Sequence, residues 1–276
     1  MTFGSRLATA VEARGRLCAG IDPHPGLLDD WGLADSPSGL ETFSMTCLEA
    51  VEDVVAVLKP QSAFFERHGS RGIAVLERLV VGCRELGVLV LLDVKRGDIG
   101  STVQAYADAY LDPASPLAVD AVTASPFLGT GSLDPLLDTA LANDKGVFVL
   151  ALTSNPESAQ VQHAVTADGR TVAAQVLDAV RARNADTAGL GSIGAVVGAT
   201  VDCPSDVPDR LQVGGPLLVP GIGAQGGTLA DVRRIFGPAC RQVLPSSSRE
   251  ILRAGPTRGR LREAAQRAAE SFASLG

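Results

Sequence analysis

Residues 88–98 read VLVLLDVKRGD, an unbroken apolar run that ends abruptly in Asp93, Lys95 and Asp98. Six residues from Val88 to Asp93 match the length of a strand, and their β-branched and aliphatic character suits one buried on both faces. The 99–111 segment then changes to helical period. A short apolar strand, a polar exit and a helix make one βα unit, and the same grammar recurs along the chain. Strand-like runs lie at Leu17–Ile21, Val54–Leu58, Val88–Asp93, Ala118–Thr123, Gly146–Leu152, Ile193–Gly198, Pro216–Val219 and Gln242–Leu244. Helical patterns fall near 40–52, 71–86, 99–111, 131–142, 170–187, 205–211, 227–235 and 258–273.

Consecutive βα units imply parallel strands joined by right-handed crossovers. Eight of them predict closure into a single-domain (β/α)8 TIM barrel occupying 1–276, in preference to an open doubly wound sheet. The 276 residues, 46% of them hydrophobic and 20% charged, suffice for one such domain and its core. A formal net charge of −7 argues against a nucleic-acid surface. Five scattered cysteines without a C-x-x-C pair suggest free thiols in a reducing compartment. The first residues contain no apolar leader, and no apolar run reaches membrane-spanning length, so a soluble cytoplasmic protein is expected.

Barrels of this class collect their chemistry at the C-terminal ends of the strands. The exits here carry Asp22, then Lys59 and Gln61, then Asp93, Lys95 and Asp98. Thr123 and Ser125 follow, then Thr153, Ser154 and Asn155, then the glycine-rich Pro220–Gly227, and finally Ser246–Arg249. Only three of the 24 basic residues are lysines, and two of these, Lys59 and Lys95, stand at exits. Asp93 and Lys95, two apart on a strand, share a face. A carboxylate beside the ammonium keeps it protonated, fit to donate a proton or stabilise a carbanion; a buried structural ion pair is the plainer alternative. Asp98 is equally suited to capping the following helix.

Gly221-x-Gly223-x-x-Gly226 matches a dinucleotide fingerprint but follows the seventh strand rather than opening a first βαβ unit. A phosphate cradle with Arg249 as its clamp is the better reading. His24, His68 and His163 have no metal-ligand spacing and read as structural or exposed. No G-x-S-x-G elbow supports a hydrolase. Neither metal nor cofactor is expected.

The 93–99 stretch, DVKRGDI, resembles the signature D-x-K-x-x-D-[IVL] of the orotidine 5'-phosphate decarboxylase family. AGIDPHP, LKPQSAFFERHGSRG, TASPFLG, LTSNP, PGIGAQGG and SSSREIL occur in order around it, and resemble the longer, second subtype of that family. The resemblance implies decarboxylation of orotidine 5'-phosphate to uridine 5'-phosphate without metal or cofactor, in a homodimer with shared active sites. It implies that Asp22 binds a ribose hydroxyl, and that Lys59 reaches the ribose and Asp93. Asp93 would face the substrate carboxylate and Lys95 would protonate C6. Asp98 and Thr102 would come from the second subunit, Ser154 would read the pyrimidine edge, and Gln225 and Arg249 would hold the phosphate. Two other readings make contrasting demands. A Mg2+-dependent sugar-phosphate decarboxylase of the same superfamily would place an acid where Lys59 stands. A non-catalytic nucleotide-phosphate sensor would be expected to have lost part of the Asp93, Lys95 and Asp98 set.

Overall fold

A computed structural model describes residues 1–223 and 226–275. Its strands are β1 (Cys18–Ile21), β2 (Val57–Pro60), β3 (Leu89–Arg96), β4 (Ala121–Ala124), β5 (Gly146–Leu152), β6 (Ile193–Val197), β7 (Leu217–Pro220) and β8 (Val243–Ser247). Each pairs in parallel with the next, and the Cys18↔Ser246 register joins β1 to β8, closing the barrel.

Each strand sends one buried side chain into the barrel interior, Cys18, Val57, Leu91, Ala121, Phe148, Val196, Leu218 and Leu244, and the partly buried Leu89 and Leu150 pack against them. Phe148 fits because its neighbour on β6 is Gly194, where a Cβ would stand 2.8 Å from the ring. The helix Phe3–Arg14 plugs the end of the barrel opposite the strand exits. Its Phe3 and Leu7 join the interior layer, and Phe3 meets Phe148 edge-on at 6.1 Å. This plug had no counterpart in the sequence reading, because it buries only Phe3, Gly4 and Leu7 and so has a weak helical stripe. A second, larger core lies between the strands and the outer helices.

The observed bounds depart from expectation for physical reasons. The run expected at Val54–Leu58 starts later as β2, since the amides of Val54 and Val55 still donate to Val51 O and finish the preceding helix. The helix expected near 205–211 is only a 3-10 turn, Pro208–Arg210; Pro204 and Pro208 each remove an amide donor there. The helix expected at 170–187 is Val172–Arg183. It ends where the buried Asn184 amide donates to the carbonyls of Val180, Ile193 and Val213. β8 runs past Leu244 to Ser247, so two buried serines carry the strand to its exit. All five cysteines are free, three of them buried. Among the described residues no helix is long and apolar enough to cross a membrane.

Candidate active site

β3 continues beyond Asp93 to Arg96, and its pairing with β4 shifts register between Leu92 and Arg96. Within that bulge Lys95 adopts a left-handed backbone with φ 46°. A non-glycine residue in this region is uncommon, and such conformations concentrate at functional sites. Asp93 and Lys95 therefore meet through an irregular turn of the strand rather than along a regular pleat. Their side chains are joined at 2.6 Å, Lys95 Nζ to Asp93 Oδ1. Thr123 on β4 holds both residues. Its hydroxyl donates to Asp93 Oδ1 at 2.8 Å and accepts from the Lys95 amide at 2.9 Å.

On its other side Asp93 Oδ2 accepts from Lys59 Nζ at 3.3 Å. The side chains of Lys59 and Asp93 are only 9% and 11% exposed, whereas that of Lys95 is 45% exposed. Burial works against the charge on Lys59, but Asp22 and Asp93 outweigh it and hold the ammonium above the ordinary lysine range. For Asp93 burial is likewise the largest influence and raises the pKa. Lys59, then Lys95, overcome it, so the carboxyl stays below its usual range. One ionised carboxylate thus sits between two ammonium groups. Beneath them the Cys18 thiol is pushed up to about 12 by burial and is inert.

Closing the barrel brings the first exit against the last. Gly20 lacks a Cβ, which would otherwise stand 2.2 Å from Ser248 Oγ. That space lets the Ser248 hydroxyl donate to Asp22 Oδ2. Asp22 Oδ1 is buried without a hydrogen-bond partner among the described residues. Asp22, Lys59 and Asp93 line a cavity of about 410 Å³, whose wall also includes Gln61, the Ile222 turn, Ser246–Ser248 and Arg249. A volume in this range suits a small molecule.

The glycine loop after β7 turns through left-handed positions at Gly221 (φ 97°), Gly223 (φ 75°) and Gly226 (φ 88°). The amides of Gly223, Gly226 and Gly227 donate to carbonyls within the loop itself. This corrects the cradle expectation at those three positions: their N–H groups are already used within the loop, and Arg249 is the cationic side chain on this side of the cavity wall. Gln225 lies outside the described residues.

Four expected residues stand apart from the cavity wall: Lys95, which reaches it through its bond to the wall residue Asp93, and Asp98, Thr102 and Ser154. Asp98 is half-buried and accepts from the Ile99 amide at 2.8 Å. It does not cap the following helix, Gly100–Leu111, whose N-cap is Ile99. Thr102 is exposed on that helix's first turn, and Ser154 is exposed beyond β5. Conversely, His24, read as structural or exposed, is exposed but lines the cavity, with its ring 4.3 Å from Phe64 and edge-on to it. Both follow strand exits, so position in the βα pattern could have singled them out. Thr123, although noted at an exit, carried no signal that it would bond two residues of β3.

Comparison with known proteins bears on the whole chain. Residues 15–264 match the family model described as Orotidine 5'-phosphate decarboxylase / HUMPS family. An orotidine 5'-phosphate decarboxylase of Nocardioides sp. is 63% identical over 254 residues, covering 91% of this chain and 92% of the relative. One from Salinispora arenicola is 61% identical, covering 96% and 95%. A crystal structure from Streptomyces avermitilis, provisionally named as the same enzyme, superposes with a TM-score of 0.95 at 56% identity, covering 99% of this chain and 95% of that one. The Leishmania donovani OMP decarboxylase gives a TM-score of 0.78 at 30% identity, covering 100% and 99%.

Proposed function

The chain belongs to the orotidine 5'-phosphate decarboxylase family and is a carboxy-lyase acting on orotidine 5'-phosphate in pyrimidine biosynthesis, and from that premise we propose that Lys95 delivers the proton that completes the reaction. The bond from C6 to the carboxylate breaks, CO2 departs, and the electron pair remains on C6. The Lys95 ammonium stabilises that pair and then protonates the carbon. Asp93 faces the departing carboxylate. Their repulsion exists in the substrate complex and disappears with CO2.

The observation carrying this reading is the alternation Lys59–Asp93–Lys95, with the carboxylate bonded to both ammonium groups. It joins Lys95 to the cavity-lining Asp93 and leaves its side chain accessible. Side chains then supply the chemistry with neither metal nor cofactor, and Lys59 occupies the exit where a Mg2+-dependent relative needs an acid. Asp22 Oδ1, buried and without a partner among the described residues, is placed to accept from a ribose hydroxyl, with Lys59 beside it. Arg249 binds the phosphate together with Gln225, and Ser154 reads the pyrimidine edge. Distant phosphate contacts supply binding energy that orients the ring.

Asp98 and Thr102 act on the cavity of a second subunit in a homodimer. Their positions outside the cavity of their own chain support this. So does the exposure of Ile99, Phe127 and Leu128, at 62%, 74% and 54%, near the close contact of Gly97 with Ser125 O. Residues 1–276 serve as one catalytic barrel in the cytoplasm.

The direct test is Lys95→Ala. Loss of ultraviolet absorbance from orotidine 5'-phosphate should cease, with circular dichroism unchanged. Appreciable turnover by the purified variant would refute the assignment of Lys95.

A further inference from the structure

Lys95 is held from two sides, and only one of them is the Thr123 contact. The residue that follows it, Arg96, turns away from the mouth, and its Nη2 donates to Glu66 Oε1 at 2.7 Å. The same oxygen accepts from Ser62 Oγ at 2.6 Å. The Arg96 guanidinium also lies over the Tyr106 ring, 5.4 Å from its centroid. Ser62 and Glu66 are the ends of the short helix Ser62–Glu66, which directly follows the β2 exit carrying Lys59 and Gln61. Gln61 itself bridges to Asp93. Two strand exits are therefore tied twice: inside the mouth by Lys59 and Asp93, outside it by Glu66 and Arg96.

The backbone of Arg96 is fixed as well. Its carbonyl accepts from the Ser125 amide at 2.8 Å, and it resumes pairing with Ala124 after the bulge. A Cβ on Gly97 would stand 2.3 Å from Ser125 O, so the chain beyond Arg96 passes hard against β4. A residue at φ 46° persists when its surroundings hold it there. The anchors on the C-terminal side of Lys95 all run through Arg96 and Gly97.

We infer that Arg96 and Glu66 are positioning residues for the decarboxylation, setting the left-handed turn that aims the Lys95 ammonium relative to Lys59 and Asp93. The inference rests on the reading of Lys95 as the proton donor. A planar guanidinium suits this task, since it makes a directional bond to the carboxylate and stacks on a ring; an ammonium does only the former, and less rigidly.

The test compares wild type, Lys95→Ala, Arg96→Gln, Glu66→Gln and Arg96→Lys. Binding of uridine 5'-phosphate counts competent sites, and kcat is expressed per competent site. A displacement of about 1 Å in a reacting group costs on the order of 100-fold in rate. Arg96→Gln and Glu66→Gln should each lower kcat by roughly 10- to 100-fold on that scale, with KM near wild type. Arg96→Lys should recover part of the loss. A merely structural role would reduce the number of competent sites and leave kcat per site unchanged, and that result overturns the inference. KM rising in step with the fall in kcat overturns it too. Wild-type kcat in Arg96→Gln beside an inactive Lys95→Ala refutes the inference alone. Turnover by Lys95→Ala refutes the assignment of Lys95 and this inference with it.

Discussion

Thr123→Val replaces a buried hydroxyl by a methyl of nearly the same size, and it removes two bonds at once. Thr123 is 2% exposed. Its hydroxyl donates to Asp93 Oδ1 at 2.8 Å and accepts from the Lys95 amide at 2.9 Å. A hydrogen bond to a charged group contributes about 1.5–3 kcal/mol, and an orphaned buried donor costs about 1–3 kcal/mol. The two losses do not add fully. Asp93 keeps both lysines, and water at the mouth can reach the Lys95 backbone, so a net destabilisation of about 2–3 kcal/mol is expected on the same scale. Domains of roughly 150–250 residues lose about 2–4 °C per kcal/mol, which makes the expected drop in Tm about 4–12 °C. Thr123→Ser keeps the hydroxyl and is the control for the lost methyl. Catalysis should suffer separately, because the carboxylate and the bulge lose the contact that registers one against the other. A misaimed donor worth about 1.4 kcal/mol already lowers the rate tenfold. Urea unfolding by linear extrapolation and the ultraviolet decarboxylation assay read the two effects. If Thr123→Val matches Thr123→Ser in both stability and kcat, Thr123 does not organise this site and the reasoning fails.

Three further outcomes are expected. Arg249→Ala should weaken orotidine 5'-phosphate by about 1.5–3 kcal/mol while scarcely affecting the unphosphorylated nucleoside; equal losses in steady-state kinetics on both would remove Arg249 from the phosphate. Asp93 has a lowered folded pKa, so its stabilisation is complete above the unfolded value of about 3.9 and is lost as pH falls through the folded one. Lys59 has a raised one, so its stabilisation is complete below about 10.4 and is lost as pH rises through the folded value. Tm against pH should therefore lose part of its acid limb in Asp93→Asn and part of its alkaline limb in Lys59→Met; limbs identical to wild type would contradict these shifts. Inactive Lys95→Ala and Asp98→Ala chains, unfolded and refolded together, should regain roughly a quarter of wild-type activity if half the dimers are mixed, since an isologous pair then contains one intact site. No recovery, with mixed dimers verified by native mass spectrometry, would return Asp98 to its own chain.

The strand count and the chemistry of each exit were legible in the sequence because both are local. An apolar run such as 146–152 declares a strand by composition, and β5 has those same bounds. Asp22, Lys59 and Asp93 could be picked out as exit residues because each directly follows or ends a run, and Lys95 and Arg249 because they lie within five residues of one. Reading helices from composition worked where an amphipathic stripe was long, as at Gly69–Glu85, and failed for the short plug Phe3–Arg14 and the proline-broken crossover around Pro208. Tertiary closure decided the rest. Asp22 meets Ser248 across 226 positions of sequence, and Thr123 reaches back to Asp93 across 30. Local pattern carries no record of such distances. The left-handed turn at Lys95 is equally invisible in the string DVKRGD, because it coincides with a register shift between β3 and β4 that exists only in the folded barrel. A strand's period fixes which face a side chain takes, but the bulge, the partner across the barrel and the resulting balance of charges depend on which exits closure brings together.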